Sequence, residues 1–347
     1  MRDIAPQALQ WLAKGERVAF ATVVATWGSA PRGLGAKLAL TANQAVVGSV
    51  SGGCVESAVI ESGLAVLASG QPQLLRFGVA DETAFERVGL ACGGTIEVLV
   101  EPLHPALAEA WTRALQEDRA LVMVMLLDGE LQGSCLALAE PNEVWFAHPA
   151  LPPDARSALQ ELAAAALATS QPRRTEVFIG EAPHTVFLDL TPAQPHLVVI
   201  GAVHIAIALT ALAKALGYRV TVIDPRAVFC NRERFPHADA LLVEHPKHAL
   251  QRIALTSNTA VVVLTHDSKF DDPALQIALR SPAFYVGALG SRKTHAARRE
   301  RLLRTGLSEA EVARIHAPLG LDIGARTPEE IALAAMAQIV AARNGKA

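Results

Sequence analysis

The second half of the chain alternates apolar strands with helical segments, and no other feature of the sequence constrains the fold as strongly. Five short apolar runs rich in β-branched residues follow Pro195, and each is followed by a segment of helical periodicity. Strands that are apolar throughout are buried on both faces, as in a parallel sheet covered by helices. We therefore expect a Rossmann-like, doubly wound parallel sheet. Its predicted strands are residues 196–202, 219–224, 240–244, 260–266 and 283–289.

A short segment with two prolines, residues 191–195, separates this region from what precedes it. Proline lacks an N–H donor and disfavours helix in the preceding residue, so the segment is typical of a linker. A chain of 347 residues also has the length of about two ordinary domains. We predict an N-terminal mixed α/β domain over residues 1–190 and a C-terminal Rossmann-like domain over residues 191–347.

Charge and cysteine content argue against several classes of protein. A net charge of −3 does not favour nucleic acid as a partner. The four cysteines form no CxxC pair and are too few for a disulfide framework. No apolar run approaches the roughly 20 residues that span a bilayer, and the N-terminal residues do not have the pattern of a signal peptide. We expect a cytoplasmic protein that binds neither nucleic acid nor membrane.

A glycine-rich segment at residues 48–56 is the strongest candidate for chemistry in the N-terminal half. It follows a predicted hairpin and delivers Cys54 to the start of a predicted helix. Gly52 and Gly53 can adopt positive φ and bring backbone N–H groups close to a ligand, and a helix N-terminus favours a thiolate. The segment therefore suits an anionic ligand together with a soft metal or a sulfur atom. A small buried cysteine with no chemical role is the alternative.

A second cysteine, Cys92, adjoins another pair of glycines in the reverse order, at residues 92–94. Two cysteines flanked by Gly-Gly in one domain are more than packing requires. We therefore consider the hypothesis that Cys54 and Cys92 face one cleft, although their spacing does not decide it.

Polar and glycine-rich residues follow the predicted strands of the C-terminal domain. In an open parallel sheet, ligands bind beyond the carboxyl ends of the strands. We therefore expect a nucleotide or partner cleft at this edge. Its candidate residues are Gly201, His204, Asp224, Arg226, His266, Asp267, Ser291 and Arg292.

Residues 201–206 stand where a Rossmann dinucleotide fingerprint, G-x-G-x-x-G/A, would lie, and Asp224 stands where a ribose-binding carboxylate would follow. Val203 replaces the second glycine of this fingerprint, and its branched side chain would occupy the space that a pyrophosphate needs. Tight NAD(P) binding in the usual pose is therefore not expected. An NAD(P)-dependent oxidoreductase with His266 or Asp267 as acid/base is nevertheless the main alternative function.

Motifs spread over both domains carry a family resemblance. In the first half they are Gly28-Ser29-Ala30-Pro31-Arg32, residues 48–56 and Cys92-Gly93-Gly94; in the second half they are Asp224-Pro225-Arg226, Arg234-Phe235-Pro236, Thr265-His266-Asp267, residues 287–292, residues 318–325 and residues 327–332. With these motifs the chain resembles the XdhC/CoxI family, accessory factors for the maturation of xanthine dehydrogenase and related molybdenum hydroxylases.

The resemblance implies a homodimer that binds the molybdenum cofactor and protects it while a cysteine desulfurase supplies sulfur for a terminal sulfido ligand. The cofactor then passes to the apo-hydroxylase. On this basis Cys54, together with Cys92, would contact molybdenum or carry sulfur. Arg32, Gly52 and Gly53 would contact the pterin phosphate. We expect a maturation factor without turnover of its own. A docking protein that binds the hydroxylase and holds no cofactor is a third reading.

Overall fold

The computed structural model describes residues 4–78, 94–141, 143–167 and 172–346. The chain divides into two compact units, Met1–Ala193 and Gln194–Ala347. No helix in the described ranges is both long and apolar enough to cross a membrane.

In its described residues, the N-terminal unit consists of two five-stranded antiparallel sheets with four helices. The strand order is β3-β2-β1-β5-β4 in the first sheet and β8-β7-β6-β10-β9 in the second. The elements are α1 (Ala5–Ala13), β1 (Val18–Trp27), β2 (Lys37–Thr41), β3 (Val46–Gly48), α2 (Glu56–Ser69), β4 (Gln73–Phe77), β5 (Thr95–Pro102), α3 (Pro105–Gln116), β6 (Leu121–Leu126), β7 (Cys135–Glu140), β8 (Glu143–Ala147), α4 (Pro153–Ala166), β9 (Arg173–Ile179) and β10 (Ala182–Thr191).

The alternation of side chains along the strands gives this unit a layered core. Phe20 of β1 and Met123 of β6 belong to one buried cluster that both sheets share, and side chains of α1 and α3 complete it. On the opposite face of β1, Val23 packs in a cluster with α2. On the opposite face of β6, Val124 packs in a cluster with α4. Each sheet is therefore apolar on both faces.

A buried ion pair connects the two sheets. Lys37 of β2 is 2% exposed, and its Nζ lies 2.7 Å from Oδ2 of Asp189 in β10. The same ammonium group donates to the carbonyl oxygen of Gly35. Glu101 of β5 is buried nearby, and burial raises its pKa to about 8, with Lys37 acting in the opposite direction and Asp189 adding to the rise. Glu101 is therefore protonated at neutral pH, which leaves one ammonium facing one carboxylate.

The C-terminal unit is a six-stranded parallel sheet in the order β13-β12-β11-β14-β15-β16. One face packs against α5 and α10, and the other against α6, α7 and α8. The elements are β11 (His196–Ile200), α5 (His204–Ala215), β12 (Arg219–Ile223), β13 (Ala240–Leu242), α6 (Pro246–Arg252), β14 (Thr259–Val263), α7 (Ser268–Arg280), β15 (Tyr285–Ala288), α8 (Arg292–Arg304), α9 (Glu309–Ala313), β16 (Ile315–His316) and α10 (Pro328–Arg343).

This arrangement confirms the predicted fold class, an N-terminal mixed α/β part followed by a Rossmann-like doubly wound sheet. All five predicted C-terminal strands are present, and β11 and β14 are buried along their whole length. The sixth strand, β16, has only two residues and was not predicted. The observed strands end earlier than the predicted ones. For example, residues 264–266 lie beyond the end of β14, and His266 has a φ of 60°.

Candidate functional site

Cys54 lies between β3 and α2, directly before Val55, the N-cap residue of α2. It is half-buried and packs at the margin of the cluster between the first sheet and α2. Cys135 and Cys230, the other cysteines in the described part of the chain, are free but buried. Among the described thiols, Cys54 is therefore the one that a bound molecule can reach.

The carboxylate of Glu56 organises the segment that carries Cys54. Its Oε1 accepts hydrogen bonds from the Ser49 hydroxyl (2.6 Å) and from the N–H groups of Val50 (3.2 Å) and Ser51 (2.9 Å). Its Oε2 accepts from the Ser51 hydroxyl and from the N–H of Gly53 (2.8 Å). A residue in the first turn of α2 thus folds back and binds both ends of the preceding loop.

The same contacts fix the charge of Glu56. Burial acts to raise its pKa, but the hydrogen bonds from Ser49 and Ser51 outweigh burial and lower the pKa from 4.5 to about 2. The group is therefore ionised at neutral pH. The N–H of Gly53 donates to this carboxylate and that of Gly52 donates to the Ser49 hydroxyl, at 2.8 Å in each case. The sequence suggested these two N–H groups as donors to a ligand, but in this structure the side chains of Ser49 and Glu56 accept their hydrogen bonds.

Gly52 and Gly53 form the turn itself, with φ values of +76° and +118°. Residues with a Cβ rarely adopt such conformations, so both glycines are needed for the backbone to place Cys54 before the helix.

Arg32 is exposed on the connection between β1 and β2, and this connection adjoins the Cys54 loop. A Cβ at Gly52 would stand 3.9 Å from the Cβ of Pro31. Gly94, just before β5, lies so close to the same connection that a Cβ there would collide with the carbonyl oxygen of Ser29. The predicted site residues Arg32, Gly52, Gly53 and Cys54 are thus brought to one region. Cys92 lies outside the described residues.

The arrangement offers one half-buried thiol and one exposed guanidinium around a loop held by internal hydrogen bonds. Thiolate binds soft metal centres, and guanidinium binds phosphate through paired hydrogen bonds. The described residues contain no group of three or more His, Cys, Asp or Glu side chains that could enclose a metal ion.

In the C-terminal unit, Asp224 is fully engaged by its neighbours. Its Oδ1 accepts from the backbone N–H and Nε of Arg226 (2.9 Å each), and its Oδ2 accepts from Nη2 of Arg226 (2.7 Å) and the N–H of Ala202 (2.8 Å). Burial acts to raise the pKa of Asp224, but these hydrogen bonds lower it. Arg226 in turn lies over the Phe229 ring, 4.6 Å from its centroid. Both oxygens that would hold a ribose are already occupied.

Three other predicted cleft residues stand at the starts of helices. Asp267 caps α7 and Ser291 caps α8, each with its side chain accepting a backbone N–H of the first turn. His204 is the first residue of α5, and its side chain is 72% exposed. Gly201 has a φ of +104° and lies close to Thr265, whose Cγ2 would be 2.7 Å from a Cβ at this position. The cap residues have a local structural role in this fold.

His266 and Arg292 differ from the other cleft candidates because they line a cavity of about 580 Å³. Most of the remaining lining comes from residues 318–323, Ile331 and Ala334, which are largely apolar. Residues 318–323 were not predicted to line the cleft, although they belong to one of the motifs that carry the family resemblance. The role of Glu56 was not predicted either, because the hydrogen-bond partners of its carboxylate come together only when the loop is folded.

Comparison with known proteins covers both units. Residues 197–339 match the XdhC Rossmann domain, and residues 11–78 match the XdhC and CoxI family. The chain is 28% identical over 339 residues to a probable xanthine dehydrogenase subunit of Bacillus subtilis strain 168, with 94% of each chain covered. It is 27% identical over 342 residues to the molybdenum cofactor insertion chaperone PaoD of Escherichia coli K12, covering 99% of this chain and 88% of that protein.

The fold is also shared with a solved structure. A crystal structure of a xanthine dehydrogenase from Bacillus halodurans matches with a TM-score of 0.77 and 23% identity, covering 99% of this chain and 97% of that one. Since both matched family domains are present and the relatives align along nearly the whole chain, the protein belongs to the XdhC and CoxI family.

Proposed function

We propose that this protein is a maturation chaperone for a molybdenum hydroxylase such as xanthine dehydrogenase. It binds the molybdenum cofactor, holds it while a terminal sulfido ligand is installed, and delivers it to the apo-enzyme. The single observation that carries the proposal is the half-buried Cys54 thiol on a glycine loop that adjoins, through Gly52 and Pro31, the connection bearing exposed Arg32. The name of the chaperone PaoD, a relative along nearly the whole chain, supports the same role.

Each residue of the site has a defined part in this function. Cys54 supplies a thiolate to the cargo, and molybdenum in the cofactor accepts such a soft ligand. Arg32 neutralises the phosphate of the pterin. Glu56 holds residues 49–53 in one conformation, so that the thiol stands in a fixed position before α2. Cys92 is a second thiol for the same cargo in this proposal.

Attachment through few protein ligands suits a protein that must release what it binds. Closed sites with four protein ligands hold a metal as part of the fold. No such cluster exists among the described residues of this chain. A cargo held by the thiolates of Cys54 and Cys92 and one phosphate contact can leave when those few interactions are replaced on the receiving enzyme.

The proposal includes partners and a location. An apo-molybdenum hydroxylase receives the cofactor, a cysteine desulfurase supplies the sulfur, and the chaperone acts as a homodimer in the cytoplasm. It needs no catalytic turnover of its own.

The test is the cofactor content of purified protein from cells that make the cofactor and from cells that do not. We expect bound pterin and molybdenum to fall at least about tenfold in Cys54→Ala, which corresponds to about 1.4 kcal/mol of binding free energy. Cys230→Ala, which alters a buried cysteine of the other unit, is the matched control and should retain the wild-type content. A Cys54→Ala protein with undiminished cofactor contradicts the proposal.

Two alternatives are distinguished by the same preparations. An NAD(P)-dependent oxidoreductase would need Asp224 for the ribose, but Arg226 and Ala202 engage both carboxylate oxygens. Micromolar binding of NAD(H) or NADP(H) would favour it nonetheless. Capture of a hydroxylase by a protein that never carries pterin would favour a docking role instead.

A further inference from the structure

Helices α5 and α10 pack against one face of the C-terminal sheet, side by side and in the same direction. At their starts, Nε2 of His204 in α5 lies 3.9 Å from Oε1 of Glu329 in α10. Near their ends, the guanidinium of Arg343 in α10 lies 5.7 Å from the ring centroid of Tyr218, which follows α5 closely in the chain. The outer sides of the two helices therefore form one surface, with both N-termini at the same end.

Small and apolar side chains make up this outer surface. The sheet side of α5 is buried at Ala206, Leu209 and Ala213, whereas the side chains that point away from the sheet on both helices are exposed or half-buried. These are Ala208, Ala211, Leu212 and Ala215 of α5 and Leu333, Ala337, Val340 and Ala341 of α10, and together they are called the α5–α10 face. Leu333 is 52% exposed.

No charged residue interrupts the α5–α10 face. Residues 205–213 and 331–342 contain no Asp, Glu, Lys or Arg. The polar side chains in these stretches are hydrogen-bonded within the chain, since Thr210 donates to a carbonyl oxygen of its own helix and Gln338 accepts from the Tyr285 hydroxyl. Surface helices normally carry charged and polar residues on the side away from the core. Two adjacent helices without charge on that side indicate a protein contact.

Charges of opposite sign stand at the two ends of the face. Glu329 and Glu330 are in the first turn of α10, where exposed Arg326 just before the helix offsets part of their charge. Arg343 is in the last turn of the same helix, and exposed Lys346 follows it. The face is therefore acidic at one end, basic at the other and uncharged between them.

This charge pattern is complementary to itself under one kind of two-fold rotation. An axis perpendicular to the helices reverses their direction in the second copy, so that the acidic end of each copy lies over the basic end of the other. With the axis near Ala337, Leu333 faces the partner's Ala341, and Glu329 faces the turn that holds the partner's Arg343 and Lys346. An axis parallel to the helices would instead bring like charges together.

The size of the face sets the expected strength of association. Helix α10 has 16 residues and is about 24 Å long, and two helices about 8–10 Å apart make a face about 20 Å wide. Its footprint is about 500 Å² per copy, or about 1,000 Å² for both copies, which is the lower bound for a specific interface. We therefore expect a dimer that dissociates on dilution.

We propose that a second copy of this chain docks on the α5–α10 face, antiparallel to the first, about a two-fold axis near Ala337. For the choice of a dimer this inference rests on the proposed function, which includes a homodimer. The surface and the symmetry come from the exposure and the charges of the two helices.

The test is sedimentation velocity of the full-length protein at about 1, 10 and 100 μM, a range that brackets a Kd of about 10 μM. Ala211→Glu and Ala337→Glu place carboxylates within the face and should weaken dimerisation at least about tenfold, while glutamate remains a good helix former. Ala297→Glu, at an exposed position of α8 on the other side of the sheet, is the matched control and should dimerise as the wild type does. A wild-type monomer at 100 μM, or equal dimer fractions in wild type and both face variants, overturns the proposal.

A charge swap tests the antiparallel arrangement. Glu329→Lys and Arg343→Glu each bring like charges together and should each weaken dimerisation about threefold, in keeping with exposed ion pairs. The double variant restores unlike charges and should recover the wild-type affinity to within about twofold. A double variant weaker than both single variants overturns the proposal. Cys54→Ala should dimerise normally whatever its cofactor content, so this proposal and the chaperone proposal fail by different measurements.

Discussion

Replacing Glu56 by glutamine tests whether this carboxylate holds the Cys54 loop. The amide nitrogen of glutamine takes the place of one carboxylate oxygen. This nitrogen is itself a donor, and it faces groups that donated hydrogen bonds to the oxygen. A pKa lowered from 4.5 to about 2 sets a ceiling of about 3 kcal/mol on the stabilisation from ionised Glu56. Partial exposure of the side chain reduces this value through solvent screening, so we expect a loss of about 1.5–2 kcal/mol.

Hydrogen exchange measured by mass spectrometry on peptides covering residues 48–56 reports this loss locally. At pH 7 the Glu56→Gln protein should exchange these amides about 10–30 times faster than the wild type, because each 1.4 kcal/mol is about a tenfold change in the opening equilibrium. Glu61→Gln changes an exposed carboxylate on the same helix and is the control. Its exchange should match that of the wild type.

The pH dependence of the unfolding free energy gives a second check, on the sign of the contribution from Glu56. Because folding lowers the pKa of Glu56, its stabilising contribution is complete above about pH 4.5 and is lost as the pH falls towards 2. The difference in unfolding free energy between wild type and Glu56→Gln should therefore be constant from pH 5 to 8 and shrink below about pH 4.5. Equal exchange in Glu56→Gln and Glu61→Gln, or a difference that grows on acidification, would refute the reasoning.

Three further predictions concern the N-terminal unit. Lys37→Met leaves Asp189 buried without its cation and should lower the free energy of unfolding in urea by about 3–5 kcal/mol, and adding Asp189→Leu should recover most of the loss. Because folding raises the pKa of Glu101, its stabilising contribution is complete below about pH 4.5 and is lost as the pH rises through about 8. In urea unfolding, the stability of wild type relative to Glu101→Gln should therefore be lower at pH 8.5 than at pH 5. An equal difference at the two pH values would contradict this prediction. Gly48→Ala combines a φ of +84° with a collision against the Lys37 carbonyl oxygen and should lower the melting temperature more than Gly70→Ala, which has a φ of +73° and open space around it.

The sequence predicted those parts of the fold whose signal is local. Continuous apolar strands with intervening helices predicted the C-terminal sheet, because burial on both faces leaves a pattern in each strand separately. The two-residue strand β16 has no periodicity to detect. The β9–β10 hairpin was also missed, since β9 has no fully buried residue and alternates between half-buried and exposed positions.

The same distinction holds for the site. The place of Cys54 before a helix follows from its neighbours in the chain, and α2 begins at Glu56, two residues after the cysteine. The pairing of Lys37 with Asp189 joins two strands far apart in sequence, so no local pattern reveals it. The engagement of Asp224 by Arg226 is local, but the sequence around them also matches a ribose-binding site. Only the side-chain geometry separates these two readings.

The link between Lys37 and Asp189 has a consequence for synthesis of the chain. A ribosome-bound intermediate that has emerged only as far as β9 contains every strand of the first sheet but not the carboxylate that its ammonium group needs. Until β10 arrives, water or the ionised carboxylate of nearby Glu101 must take the place of Asp189 at this nitrogen. The ion pair between the two sheets therefore forms only after the last strand of this unit has been made.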